Sequence, residues 1–232
     1  MIETRPHGGF GATRNRWLAS LHNFSFAGYQ NAERDGFGGI LAVNHTVLAP
    51  RGELRPYPID GTDVLLFVRR GVVEHSGYFE AGGRTVAGEV RLISTAAGVE
   101  LGCHNPGSCP AEFIEIRLRA TAPIDRPTHD VTAFPTRDHK GRLVTLASGF
   151  GENRAAMRMR ARARLWAARL KGGDALTWRT QPRLHGYVLC ASGALDVNGV
   201  VLDARDAAAV HREELVRLRA VKGSEILLIE TD

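Results

Sequence analysis

Cysteine is scarce in these 232 residues: Cys103, Cys109 and Cys190 are the whole supply. Three unevenly spaced thiols cannot staple a secreted mini-domain, so a disulfide scaffold is excluded and a reducing cytoplasm is the expected setting. Aromatics make up only 7% of the chain, and lysine occurs only at Lys140, Lys171 and Lys222. Long apolar runs are missing. Nothing approaches the roughly 20 residues that span a bilayer as a helix, and the polar, glycine-rich stretch after Met1-Ile2-Glu3-Thr4-Arg5 offers no signal-peptide core. No repeat period marks a collagen-like or low-complexity chain.

What is present is ordinary for a folded protein: 44% hydrophobic and 24% charged residues. The formal charge of +5 rests almost entirely on arginine. It permits an anionic ligand without arguing for one. Length allows one large domain or two of about a hundred residues.

Strand texture dominates. Ile40–Ala49, Val64–Val68, Val72–His75, Val90–Ser94 and Phe113–Leu118 are short Val/Ile/Leu/Phe runs bounded by Gly, Pro, Asn or Asp. No 12-residue window among them has helical periodicity. The glycine-rich stretch 5–39 reads as an irregular arm with one helical turn near Trp17-Leu18. Arg119–Arg137 carries three prolines and reads as a linker. Strand texture then returns at Leu143–Leu146, Met157–Leu170, Leu184–Cys190, Ala194–Val197, Ala207–His211, Leu215–Ala220 and Glu225–Ile229. Asn198-Gly199 between Ala-Leu-Asp-Val and Val-Val-Leu is the sharpest hairpin signal. The expectation is an all-β protein in two weakly similar halves, each closing on itself so that edges are protected. Its parts would be an N-terminal half with its arm (1–119), a linker (120–136) and a C-terminal half (137–232).

Several pieces in combination resemble the pirin family of bicupins, chains with two cupin (jelly-roll) barrels. They are Trp17–Tyr29 with its His22-Asn23-Phe24-Ser25-Phe26 core, Gly38–Gly52, Val64–Gly77, Gly98-x-x-Leu101-x-x-x-Asn105 and residues 184–232. Residues 120–180 match least. The resemblance implies one iron in the first barrel, held by three histidines and a glutamate. Two of the histidines come as His-x-His, and the other two ligands come from a second motif. Some members degrade the flavonol quercetin with dioxygen.

This chain departs from that pattern. The His-x-His slots fall on Tyr57 and Ile59, or on Arg55 and Tyr57 if the loop is two residues longer. No histidine occurs between His45 and His75. The second motif's histidine and glutamate slots hold Leu101 and Cys103. Leu and Ile offer no lone pair to a metal, and Cys103 beside His104 cannot complete a cage. The pattern is similar to a metal-free branch of the family, the YhaK-like bicupins, so neither metal nor other cofactor is expected.

The candidate pocket is therefore Tyr57, Ile59, Asp63, Leu101, Cys103 and His104. The plain alternative is that Tyr57, Ile59 and Leu101 fill the barrel as core. Cys103 and His104 are adjacent in an extended strand and point to opposite faces. A reversible Cys103–Cys109 disulfide across Asn-Pro-Gly-Ser is the redox alternative. Arg158, Arg160, Arg162 and Arg164 alternate with Met157, Met159, Ala161 and Ala163. They form either an anion-binding stripe or a solvated face paired with Asp174, Glu213 or Glu214. The expected function is binding or regulation through an unidentified small molecule or protein, without membrane or nucleic acid. The alternatives are an enzyme with a rebuilt pocket for a small aromatic substrate and a redox-responsive regulator acting through Cys103.

Overall fold

The structure is a computed structural model describing residues 1–77, 83–136, 141–151 and 156–232. Its strands in the first part are β1 (Ile2–Arg5), β2 (Gly11–Arg14), β3 (Leu18–His22), β4 (Ile40–Leu48), β5 (Glu53–Ile59), β6 (Thr62–Arg70), β7 (Val72–Gly77), β8 (Arg84–Val86), β9 (Glu89–Ser94), β10 (Val99–His104), β11 (Ala111–Arg119) and β12 (Thr128–Ala133). The second part adds β13 (Val144–Ser148), β14 (Met157–Arg158), β15 (Ala163–Leu170), β16 (Ala175–Arg179), β17 (His185–Val197), β18 (Val200–Asp203), β19 (Ala207–Val210) and β20 (Leu215–Thr231). Two short 3-10 turns, His7–Gly9 and Ala32–Arg34, are the only helical segments among the described residues, and no helix there is long and apolar enough to cross a membrane. The fold is all-β, as the strand-and-turn texture indicates.

The chain divides into two units. The first is Gly11–Ala133 with residues 159–161. Its seven-stranded sheet runs β12-β9-β6-β11-β4-β3-β2 and its four-stranded sheet runs β5-β10-β7-β8. β6 is buried along Thr62–Val68, as a central strand with both faces covered should be. Side chains from both sheets share the core: Leu66, Val68 and Phe113 pack with Val73 and Cys103, and Val64 and Ile93 with Ile59 and Leu101. Each such side chain contributes roughly 1.5–3 kcal/mol by leaving water. Pro56 and Pro58 sit in β5 without cost to a ladder, because β5 is an edge strand.

The second unit comprises Met1–Phe10, Phe134–Arg158 and Arg162–Asp232. Its nine-stranded sheet has the path β1-β19-β17-β20-β15-β13-β14, with β16 on β20 and β18 on β17. Trp178 is fully buried and meets Trp166 edge-on at 5.8 Å. The Asn198-Gly199 hairpin is present, with φ of 50° and 88° joining Val197 to its partner Val200.

Several expectations are corrected. Trp17-Leu18 forms no helical turn; Leu18 opens β3 and pairs with Leu48, because the free edge of β4 recruits it. The first ten residues are not an arm on the N-terminal half: β1 pairs with β19 in the second unit. The stretch 120–136 contains β12, paired along β9 from Thr128↔Ser94 to Ala133↔Glu89. Its side chains are almost all exposed, so it had no apolar period to read. The unit division falls after Ala133, and the expected boundary at residue 137 lies outside the described residues. Two pairs of expected strands are each a single long one, β17 and β20. The residues between the first of these pairs, 191–193, are a bulged stretch of β17, where Gly193 (φ +81°) lies so close to Gly223 that a Cβ would fall 2.1 Å from its carbonyl oxygen. Met157–Leu170 is not one strand either, since β14 ends at Arg158 and β15 starts at Ala163.

Candidate functional site

Strands β5, β10, β7 and β11 set out the interior of the first unit. Tyr57 on β5 stands directly opposite Leu101 on β10, Ile59 opposite Val99, and Cys103 opposite both Leu54 and His75. The register slips between Leu101 and Cys103. Gly102 at the slip is irreplaceable by size: a Cβ there would lie 2.6 Å from the Pro56 nitrogen and 2.8 Å from the Leu54 carbonyl oxygen. From the other sheet, β11 turns Phe113 and Glu115 to the same space.

These residues enclose a cavity of about 30 Å³, lined by Tyr57, His75, Leu101, Cys103, Phe113 and Glu115 among others. That is room for one or two water molecules. Arg117 does not line this space but bonds two of the residues that do. Its Nε donates to the Glu115 carboxylate and its Nη2 to the Tyr57 hydroxyl. Its guanidinium lies 4.5 Å from the Phe26 ring centroid and 4.9 Å from that of Tyr57.

The remaining polar groups are neutral. Burial, helped by the Glu115 charge, pushes the Tyr57 phenol well above its ordinary range and the Cys103 thiol up to about 12. Burial, then the Arg91 and His129 charges, pulls His75 down to about 4. Its Nε2 is hydrogen-bonded to the Thr85 hydroxyl at 2.9 Å. Burial opposes the charge of Arg117, but the Glu115 carboxylate and the Tyr57 oxygen outweigh it and hold the guanidinium above the usual arginine value. Near neutral pH this interior therefore offers no free base, no thiolate and no imidazolium. Its one ion pair is internally matched.

The structure brings Tyr57, Leu101 and Cys103 to one cavity and leaves the other candidates off its wall. Ile59 packs into the apolar cluster with Val64, Ile93 and Leu101. Asp63 is fully buried elsewhere. Its Oδ1 accepts from the Ser94 hydroxyl at 2.5 Å, and its Oδ2 from the backbone N–H groups of Arg160 (2.5 Å) and Ala161 (2.7 Å). His104 points away from Cys103 and pairs with Glu74 at 3.0 Å. Cys103 and Cys109 are both free thiols, the first buried and the second exposed. A buried, protonated Cys103 is the opposite of the exposed, low-pKa thiolate that a redox sensor requires.

The arginine row dissolves into separate roles. Arg158 ends β14, and Arg160 lies in the segment 159–161 of the first unit. Arg162 pairs with Asp232 at 3.0 Å, and Arg164 pairs with Glu230 at 3.1 Å while stacking on Phe150 at 4.5 Å. The partners are not the expected ones. Asp174 accepts from the Lys171 N–H at 2.8 Å, Glu213 binds the N-terminal ammonium, and the backbone carbonyl of Glu214 accepts from the Thr180 N–H at 3.0 Å.

Sequence reasoning passed over Glu115 and Arg117. The available signal was two charged residues, i and i+2, in the otherwise apolar run Phe113–Leu118.

The profile of the quercetinase C-terminal cupin domain matches residues 145–231. A Caulobacter vibrioides protein named pirin-like protein is 31% identical over 230 residues, 99% of each chain. The chain belongs to the pirin family. A Pseudomonas aeruginosa relative, provisionally named a quercetin 2,3-dioxygenase, is 32% identical over 230 residues, again 99% of each chain. The crystal structure of the Escherichia coli pirin YhhW in complex with nickel(II) covers 100% of this chain and 99% of its own, with TM-score 0.92 at 22% identity.

The family resemblance implies a metal held by three histidines and a glutamate in the first barrel. The residues of this pirin-family chain do not fit such an ion. Among the described residues no three His, Cys, Asp or Glu side chains come together as a ligand set. The donors that do line the cavity are otherwise engaged: His75 with Thr85, and Glu115 with Arg117.

Proposed function

We propose that this pirin-family chain works as a binding or regulatory protein, and that its first barrel operates without the metal-dependent dioxygenation for which relatives are named. The observation that carries this reading is the filling of the site. Tyr57, Ile59, Leu101 and Cys103 stand where the family resemblance calls for ligands. The cavity that Tyr57, Leu101 and Cys103 border measures about 30 Å³, and two of its lining residues, Tyr57 and Glu115, are bonded to Arg117. Small-molecule sites run to roughly 300–1,000 Å³, so a flavonol does not enter this space. The same substitutions favour the metal-free, YhaK-like branch. Three free cysteines suit a cytoplasmic setting.

A place for a ligand or partner is available elsewhere. The second unit carries a groove of about 740 Å³ whose lining includes Thr177, Asp196, Asn198, Leu215, Arg217 and Arg219. Its size suits a small molecule or a peptide segment.

The test is elemental analysis of protein purified after growth with added iron, nickel and zinc, together with an assay of quercetin consumption. The expected result is metal far below one equivalent and no consumption above background. Stoichiometric metal in the first barrel, or quercetin turnover abolished by a chelator, overturns the reading.

A further inference from the structure

We infer that the Arg117 guanidinium is the resident cation of the first barrel, holding the interior where other pirins would place a metal ion and excluding that ion by its charge. The inference rests on the metal-independent reading above and deepens it. In that reading missing donors keep a metal out; a built-in positive charge adds a second barrier.

Four observations meet at this side chain. The first is place. Arg117 donates to the hydroxyl of Tyr57, which fills one expected ligand position. Tyr57 faces Leu101, which fills another, and Cys103, a third, lines the same cavity. The second is charge balance. Glu115, two residues back on the same strand face, supplies the one carboxylate in the lining and bonds Arg117 directly. The third is confinement, with the guanidinium 4.5 Å from the Phe26 ring centroid and 4.9 Å from that of Tyr57. The fourth is burial: the Arg117 side chain is 12% exposed and that of Glu115 6%.

An arginine in such a place stays charged, because its ordinary pKa exceeds 12 and Glu115 raises it further. A dication entering the small cavity would sit beside Tyr57 and Glu115, both of which Arg117 bonds directly, and so near that charge in surroundings that screen it poorly. Restoring the ligands alone is therefore not enough to restore a metal site. The arginine must go as well.

The experiment uses the full-length chain carrying Tyr57→His, Ile59→His, Leu101→His and Cys103→Glu, titrated with nickel(II) by calorimetry. Three forms are compared: with Arg117 retained, with Arg117→Met and with Arg117→Lys. The Met form should bind nickel at least about tenfold more tightly than the Arg form, and the Lys form should stay as weak as the Arg form. Equal affinity of the Arg and Met forms overturns the inference, as does a Lys form as tight as the Met form.

A second measurement stands if the four-fold variant does not fold. In the otherwise unaltered chain, Arg117→Met should lower the urea midpoint clearly, Arg117→Lys should lower it less, and a chelator should move none of the three. A Met variant with the parent's midpoint overturns the inference. Stoichiometric metal in the unaltered protein defeats the metal-independent reading itself and is seen by elemental analysis, so the two failures are told apart.

Discussion

The hydroxyl of Tyr57 on β5 accepts a hydrogen bond from Nη2 of Arg117 on β11, sixty residues further along the chain. The bond ties an edge strand of one sheet to an interior strand of the other. It also brings a residue at an expected metal-ligand position under the control of a guanidinium.

Tyr57→Phe keeps the ring against Arg117 and removes the acceptor. One donor of a largely buried guanidinium is then unsatisfied, which costs about 1–3 kcal/mol. Urea unfolding should show a lower midpoint with an unchanged slope. A midpoint equal to the parent's would mean that the bond contributes nothing.

His75 should remain neutral across the physiological range. Its folded pKa is about 4, depressed first by burial, against about 6.5 in an unfolded chain. A depressed base stabilises the fold above the unfolded value, and that contribution disappears as pH falls through the folded one. The His75 ring signals should not move between pH 8 and 6 and should titrate only near 4. Stability lost between about pH 6.5 and 4 should be smaller in His75→Asn. Ring signals that titrate near 6.5 would contradict the burial of this imidazole.

Asp63 works with the opposite sign. Burial raises its pKa, against the pull of the Ser94, Ala161 and Arg160 hydrogen bonds. The folded state therefore favours the protonated acid. This contribution is complete below the ordinary aspartate value of about 4 and is lost as pH rises through the raised one. Thermal scans should show this falling component in the parent and not in Asp63→Asn. The variant should keep the Arg160 and Ala161 bonds, because its amide oxygen can take the place of Oδ2 while its amide N–H donates to the Ser94 hydroxyl oxygen.

Thiol reactivity should follow exposure. Cys109 is exposed, whereas Cys103 and Cys190 are buried, and the Cys103 thiol is pushed up to about 12. Mass spectrometry after mild peroxide or iodoacetamide treatment of native protein should find Cys109 modified first and Cys103 only after unfolding. Early modification of Cys103 would revive the redox-regulator alternative.

Much of the fold was legible because its signals are local. The Asn198-Gly199 turn needs positive φ at both residues, and that dipeptide adopts it readily. Strands β4, β6, β9 and β11 are apolar enough to declare themselves, as in Val64–Val68 and Phe113–Leu118. β12 was not legible, because its exposed side chains carry no period and backbone pairing with β9 alone makes it a strand. Residues 215–220 and 225–229 looked like two strands for the converse reason. Gly223 resembles a turn in sequence, yet its neighbour β17 carries the pairing through a bulge.

Residue identity and near neighbours along the chain are enough for the all-β class, the turn at Asn198-Gly199 and the side chains present at positions 57, 59, 101 and 103. Each depends on what a residue is, or on its immediate neighbours. Folding in three dimensions is what turns Glu115 and Arg117 inward, brings Arg117 to Tyr57, and keeps Asp63 and His104 apart from the cavity. The reason is that a charged side chain is held inside only by partners distant in sequence, and those partners are assembled by strand pairing rather than by spacing along the chain.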